Sequence, residues 1–455
     1  MPDTFFDPAL LKKYNISGPR YTSYPTALEF SEDFSQDDLL RAMAGSAQRQ
    51  LSLYIHIPFC HSLCYYCGCN KVVTRHSEKA AVYLQYLARE INAKAALCQD
   101  YRVIQLHLGG GTPSFLSKQQ LSELLAQLKD KFTFAADCDM SIEIDPREIP
   151  LDLPIHLASL GFNRLSIGVQ DIDAKVQKAI NREQSTDFIT QFVAGAKAAG
   201  FRSINLDLIY GLPHQTSESF LPTLVWVNSL NVERISLFSY AHMPSRFAAQ
   251  RKIRDEWLPS ADEKLALMKL SITTLCQFGY EFIGMDHFAK PQDELAVAQR
   301  EGKLQRNFQG YTTRGDVDLL GLGVSAISAI GNCFSQNIKD LPTYYKQIEQ
   351  TQDAIARGVV LSQDDQLRAQ LIRELMCNLQ VNKQALEQQF AIDFERYFQA
   401  EIASLAPFVE DGLVCIDSTT IRVQAKARLL VRLVCMCFDR YLQRQSKLDR
   451  YSRVI

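Results

Sequence analysis

From residue 51 to residue 241 the chain alternates short β-rich runs with stretches of helical periodicity, and that alternation restricts it to an α/β architecture. The runs are Leu51 to Ile57, Val103 to Leu108, Met140 to Ile144, Arg164 to Val169, Ile204 to Ile209 and Arg234 to Ser239, all rich in Ile, Leu or Val. Segments between them, such as Lys79 to Cys98 and Lys118 to Lys131, carry apolar residues at helical spacing, so successive strands are expected to lie parallel in one sheet. Six βα units are too few for an eight-stranded barrel, which predicts a curled, open (β/α)6 partial barrel, with a doubly wound open sheet as the competing architecture. The positions of polar residues favour the curled form. Cys60, Gly109-Gly110-Gly111-Thr112-Pro113, Glu143 with Asp145, Gln170-Asp171, Asp207 and Tyr240-Ala241-His242 all fall on or just after the six runs, at the rim where barrels gather their chemistry.

Residues 51–245 are thus expected to form the core. Residues 1–50, with Gly18-Pro19-Arg20-Tyr21-Thr22-Ser23-Tyr24-Pro25, are too aromatic for a disordered tail and are expected to fold onto the rim as a cover. Residues 246–362 complete and connect the core. Residues 363–455 read as a helical, winged-helix-like domain, with two short strands at Gly412 to Ile416 and Thr420 to Val423 followed by an apolar helix. At 455 residues, 47% hydrophobic and 22% charged, the chain can bury a substantial core. A formal net charge of -2 offers no global field for nucleic acid, and the basic stretch from Arg440 to Arg453 is most simply a solvated helix end. The apolar run from Leu429 to Phe438 is interrupted by Arg432 and is shorter than the ~18 residues of a membrane span. Twelve cysteines behind a start, Met1-Pro2-Asp3-Thr4, that does not read as a signal peptide imply a reducing cytoplasm.

Four of those cysteines stand within ten residues, Cys60, Cys64, Cys67 and Cys69. The first three have C-x3-C-x2-C spacing, which lets one short loop hold three irons of a [4Fe-4S] cubane and leave the fourth open for chemistry, where electron-transfer sites close the cluster with four ligands. A structural zinc knot, with His56 or His61 as spare ligands, would pair two CxxC knuckles a dozen or more residues apart, and only one tight group exists here. The spacing resembles the radical S-adenosylmethionine (SAM) signature.

Taken singly, the surrounding residues are ambiguous. The triple glycine lets backbone approach a ligand, or is simply a tight turn. Glu143 suits ribose hydroxyls or is a solvent-facing strand carboxylate, Tyr54 is a cofactor wall or core, and Arg182 is a ligand or a surface helix residue. Together, the run from Tyr54 to Arg75, the GGGTP at 109–113, Ile142 to Glu148, Gly161 to Asp171 and Asp207 to Pro213 resemble the oxygen-independent coproporphyrinogen III oxidases. The similarity extends through Arg20 to Pro25 and Gly284 to Phe288 to the Ser452-Arg453-Val454-Ile455 terminus.

That resemblance implies two SAM molecules side by side. Cys60, Cys64 and Cys67 would ligate the cluster, and Tyr54, Gly110, Glu143 and Ile327 would meet the first SAM. Tyr66, Gly111, Thr112, Gln170, Arg182, Asp207 and Ala241 would meet the second, and Cys69 would be essential to catalysis without ligating iron. It also implies conversion of two propionates of coproporphyrinogen III to vinyl groups, an electron donor such as flavodoxin or ferredoxin, and a monomer with no nucleic-acid partner. Arg20, Arg182 and Arg246 are candidates by residue type for the substrate carboxylates. The rival is a related heme-trafficking family that shares the first three cysteines, against which Cys69 and the RYTSYP run speak; a SAM-dependent methylating enzyme is a third option.

Overall fold

Parallel strands joined by helices account for the larger part of this computed structural model, which describes residues 6–443. The terminal Ser452 to Ile455 and most of the basic stretch beyond Arg440 lie outside the described residues. Contacts divide the chain into two units. One is Phe30–Leu267 with Val317–Val360, and the other combines Met1–Glu29, Met268–Asp316 and Leu361–Ile455.

In the first unit, β1 (Gln50–Ile57), β2 (Arg102–Gly110), β3 (Thr133–Ile144), β4 (Arg164–Gln170), β5 (Ser203–Tyr210) and β6 (Arg234–Ser239) lie side by side in chain order, all parallel. Helices α1 (Glu78–Ala95), α2 (Lys118–Lys131), α3 (Leu153–Leu160), α4 (Thr186–Ala198) and α5 (Ser217–Ser229) form the crossovers between them. Local chemistry sets their ends: Ser117 and Gln120 make a reciprocal cap at the start of α2, and Gly161, at φ 103°, stops α3. Leu53, Ile55, Leu108, Ile142, Ile167, Leu206 and Leu208 are fully buried, each worth about 1.5–3 kcal/mol of transfer free energy. The sheet is open and matches a partial barrel.

The sheet does not stop at six strands. A seventh parallel strand, β7 (Asp318–Leu322), pairs with the free edge of β1, placing Leu320 opposite Leu53 and Gly321 opposite Tyr54. It continues into an antiparallel run of β8 (Ile327–Ile330), β9 (Cys333–Asn337) and β10 (Ile355–Val360). Five residues interrupted by a glycine carry little strand signal. What holds β7 is tertiary: buried Asp318 accepts hydrogen bonds from Ser46 Oγ (2.8 Å), Tyr101 Oη (3.0 Å) and the Gly331 amide (2.8 Å).

In the second unit the two expected strands appear as Val414–Ile416 and Thr420–Val423, and Gln380–Asn382 completes a three-stranded antiparallel sheet. The expected apolar helix splits into a 3-10 turn, Ala425–Leu430, and a short α-helix, Val431–Met436. Its Arg432 is buried because it caps the backbone of the N-terminal segment, with Nε donating to the Pro19 carbonyl at 2.8 Å and Nη2 to that of Gly18. Tyr21 and Tyr24 are buried too; Tyr21 donates to Asp439 (3.0 Å), Tyr24 Oη accepts from the Arg440 amide (3.2 Å), and Arg20 pairs with Asp286.

Candidate active site

The thiol loop begins where β1 ends and is closed at its base. Phe59–Cys60 pairs in parallel with Val72–Val73, with the Val72 amide on the Pro58 carbonyl (2.7 Å) and the Thr74 amide on the Cys60 carbonyl (2.9 Å). Neighbouring loops hold its middle: the Tyr65 amide donates to the Ile180 carbonyl (3.0 Å) and Asn181 Nδ2 to the Leu63 carbonyl (2.8 Å).

Each thiol has its own surroundings. Cys60 lies 3.4 Å from Thr112 Oγ1, and burial pushes it up to about 11. Cys64 Sγ accepts from two guanidinium groups, Arg147 Nη2 at 3.3 Å and Arg182 Nη1 at 3.4 Å, both held by Asp145. Cys67 Sγ takes the Cys69 amide at 3.4 Å; hydrogen bonding from Cys69 outweighs burial and, helped by Lys71, lowers it to about 6. Cys69 is exposed, and the hydrogen bond to Cys67 pushes its own thiol well up. Among the described residues no three His, Cys, Asp or Glu side chains close in around a single-ion site. Three thiols carried on one short loop, each with its own iron to ligate, are the donor set a cubane uses.

Beside this loop the β2 end is shaped by the absence of side chains. A Cβ on Gly110, at φ 117°, would lie 2.6 Å from the His56 ring, and one on Gly111 would lie 2.5 Å from the Pro58 carbonyl. The Gly110 amide donates to Glu143 Oε2 (3.0 Å), and His107 Nε2 meets Glu143 Oε1 at 3.3 Å. Desolvation opposes ionisation of Glu143, but these partners hold it below the usual carboxylate range, while its side chain stays 42% exposed. Tyr54 stacks on His107 at 5.8 Å between centroids, and its hydroxyl lies 3.0 Å from His56 Nδ1. His56 Nε2 faces the Asn70 carbonyl at 3.2 Å, which assigns the proton to Nε2 and leaves Nδ1 to accept from Tyr54; burial keeps the ring neutral. Ile327, two strands from Tyr54, joins this neighbourhood because Gly321 stands opposite Tyr54 and an added Gly321 Cβ would meet the Ile327 carbonyl at 2.4 Å.

Further along the rim a second group assembles. Gln170 ends β4 in the left-handed region (φ 66°) and is buried. Arg182 is likewise buried, not the surface helix residue its context allowed: Nη2 donates to the Gly168 carbonyl (2.7 Å), Nη1 meets Asp145 (3.1 Å), and Nε has no partner. Asp207 accepts from Ser166 Oγ (3.0 Å) and Asn205 Nδ2 (2.8 Å), yet burial and the nearby Glu143 push it up to about 6. Tyr66 and Ala241 are brought together by buried Gln250, whose Nε2 donates to their carbonyls at 2.9 and 3.2 Å. His107, Arg147 and Gln250 escaped sequence reasoning, and His56 entered it only as a spare zinc ligand. The alternation of Tyr54 with His56, and of His107 with the glycines, was the one available signal.

The thiol loop with the Cβ-free cradle beside it, the unpartnered buried Arg182 Nε and the carboxylate of Asp207 suit a [4Fe-4S] cluster with polar nucleoside ligands next to it, so the residues fit those groups. The Asp207 geometry carries a pH prediction. A native pKa above the ordinary carboxylate value favours folding while the group is protonated, and that contribution is lost as pH rises through about 6. Asp207→Asn is therefore expected to raise the melting temperature of the apoprotein more at about pH 8 than at about pH 4.5. A gain confined to acid would contradict it.

The Radical SAM superfamily profile matches residues 54–227, and that of the HemN C-terminal domain matches residues 361–430. The oxygen-independent coproporphyrinogen III oxidase of Escherichia coli strain K12 is 55% identical over 450 residues, covering 99% of this chain and 98% of that protein. That of Pseudomonas aeruginosa is 48% identical over 461 residues and the full length of both. A solved structure of Escherichia coli coproporphyrinogen III oxidase (HemN), described as a radical SAM enzyme, superposes with a TM-score of 0.93 at 54% identity, covering 96% of this chain and 99% of that one.

Proposed function

Since the chain belongs to the oxygen-independent coproporphyrinogen III oxidase family of radical SAM enzymes, we propose that it converts two propionates of coproporphyrinogen III to vinyl groups and so yields protoporphyrinogen IX in heme biosynthesis. The observation that carries this reading is the three-thiol loop closed against the Gly110-Gly111 strand end. When bound, the [4Fe-4S] cluster and SAM supply the electron and the hydrogen-abstracting power, and each SAM ends as methionine and 5'-deoxyadenosine.

The protein binds, orients and excludes water. Cys60, Cys64 and Cys67 hold the cluster, and Arg147 and Arg182 donate to the Cys64 sulfur. Tyr54, Gly110, Glu143 and Ile327 receive the first SAM, with His107 and the Gly110 amide keeping Glu143 an acceptor. Tyr66, Gly111, Thr112, Gln170, Arg182, Asp207 and Ala241 receive the second. Cys69, exposed beside Cys67 and not a ligand, serves turnover. Each propionate gives up one hydrogen atom, carbon dioxide and one electron, which leaves to an acceptor. The reductant is a flavodoxin or ferredoxin and the enzyme acts as a cytoplasmic monomer; among the described residues no helix is long and apolar enough to cross a membrane.

Full-length similarity to enzymes favours this reading over heme trafficking. Anaerobic, reduced protein given coproporphyrinogen III should form two 5'-deoxyadenosines per protoporphyrinogen IX. Stable, stoichiometric heme binding with no conversion, or SAM binding that saturates at one equivalent, would overturn the proposal.

A further inference from the structure

The substrate of the proposed reaction carries four carboxylates, and the cofactor-facing residues above leave them without partners. Around the exposed Cys69, two loops from distant parts of the chain close on the thiol loop. On one side the Phe247 ring packs on Gly68, 2.9 Å from where a Cβ would stand, and the preceding residue is exposed Arg246. On the other, Asn70 Nδ2 donates to the Lys339 carbonyl at 3.0 Å, and the Lys339 side chain is exposed. Lys339 follows β9, whose Gln336 stands opposite Arg357 of β10 and accepts from Arg357 Nε (2.9 Å) and Nη2 (2.7 Å). A neutral amide oxygen orients that guanidinium without cancelling its charge.

We propose that Arg246, Lys339 and Arg357 form a cationic subsite next to Cys69 that takes propionate carboxylates of the tetracarboxylate substrate. The inference rests on the reading that the chain acts on coproporphyrinogen III. A carboxylate bound among these like charges would ease their mutual repulsion while gaining charge-assisted hydrogen bonds. In support, burial, Arg357 and Arg246 together hold the Lys339 ammonium below its ordinary value. The subsite is anchored to the reaction centre by a short chain: Lys339 carbonyl to Asn70, Asn70 carbonyl to His56, His56 to Tyr54. A carboxylate bound there would hold the macrocycle edge against Cys69.

The test uses anaerobically reconstituted holoenzyme, with fluorescence titration of coproporphyrin III and its tetramethyl ester as probes and steady-state turnover of coproporphyrinogen III in parallel. In Lys339→Gln and Arg246→Gln we expect binding of the acid to weaken about tenfold or more, the ester to be unaffected, and KM for coproporphyrinogen III to rise with it. Lys339→Arg should retain the parent's affinity, and iron content and SAM binding should match the parent's in all variants. Unchanged preference for acid over ester in both glutamine variants, with normal turnover by the parent, would overturn the subsite alone. Absence of turnover in the parent would overturn the functional reading instead.

Discussion

Cys60→Ser, Cys64→Ser and Cys67→Ser are each expected to lose the iron-sulfur cluster, whereas Cys69→Ser keeps it and loses turnover. A cubane held by three thiolates has none to spare, and no further Cys lies inside the closed loop except Cys69. The environments are unequal. Cys67 is already low in pKa and Cys64 receives two guanidinium donors, while buried Cys60 resists ionisation until metal replaces its proton. The fold should survive these changes, because the loop is closed by backbone pairing independent of the sulfurs. Iron and sulfide analysis with absorption near about 400 nm reads the outcome. Loss of iron in the Cys69 variant equal to that in the other three would place Cys69 among the ligands.

Arg182→Ala is expected to weaken binding of the second equivalent of SAM while the cluster and the first equivalent stay. The side chain reaches Cys64, Asp145 and the Gly168 carbonyl, and its Nε remains available. Removing one partner of a buried ion pair is costly in general. Here Asp145 retains Arg147 through Nε (3.0 Å) and Nη2 (2.6 Å), which protects the fold. Charge-assisted contacts of this kind are worth about 1.5–3 kcal/mol each, so the second site should weaken by more than tenfold. Equilibrium dialysis of radiolabelled SAM under reducing conditions checks it. Retention of two equivalents would remove Arg182 from the second site, and loss of both would make it a general support of the rim.

The comparison of chain and fold divides along the range of the interactions. Six parallel strands, the polar residues at their C-terminal ends and the C-x3-C-x2-C loop are local: a strand shows its period within one short run, and three thiols can share a cluster only if they are close in sequence. For these residues the amino-acid sequence was sufficient, and the resemblance built on them reached the family. The strand Asp318–Leu322 was not legible because five residues around a glycine become a strand only when the β1 edge and three hydrogen bonds to Asp318 receive them. Arg182 illustrates the same limit at the site, since Asn181-Arg182-Glu183 reads as surface until Gly168 and Asp145 close over it. Gln250, Arg147 and the Lys339 loop likewise earn their places through partners scores or hundreds of residues away. Sequence by itself determined which backbone elements form and which residues bear chemistry; only the tertiary structure decided which of those residues meet, because long-range pairing leaves no periodic trace in the chain.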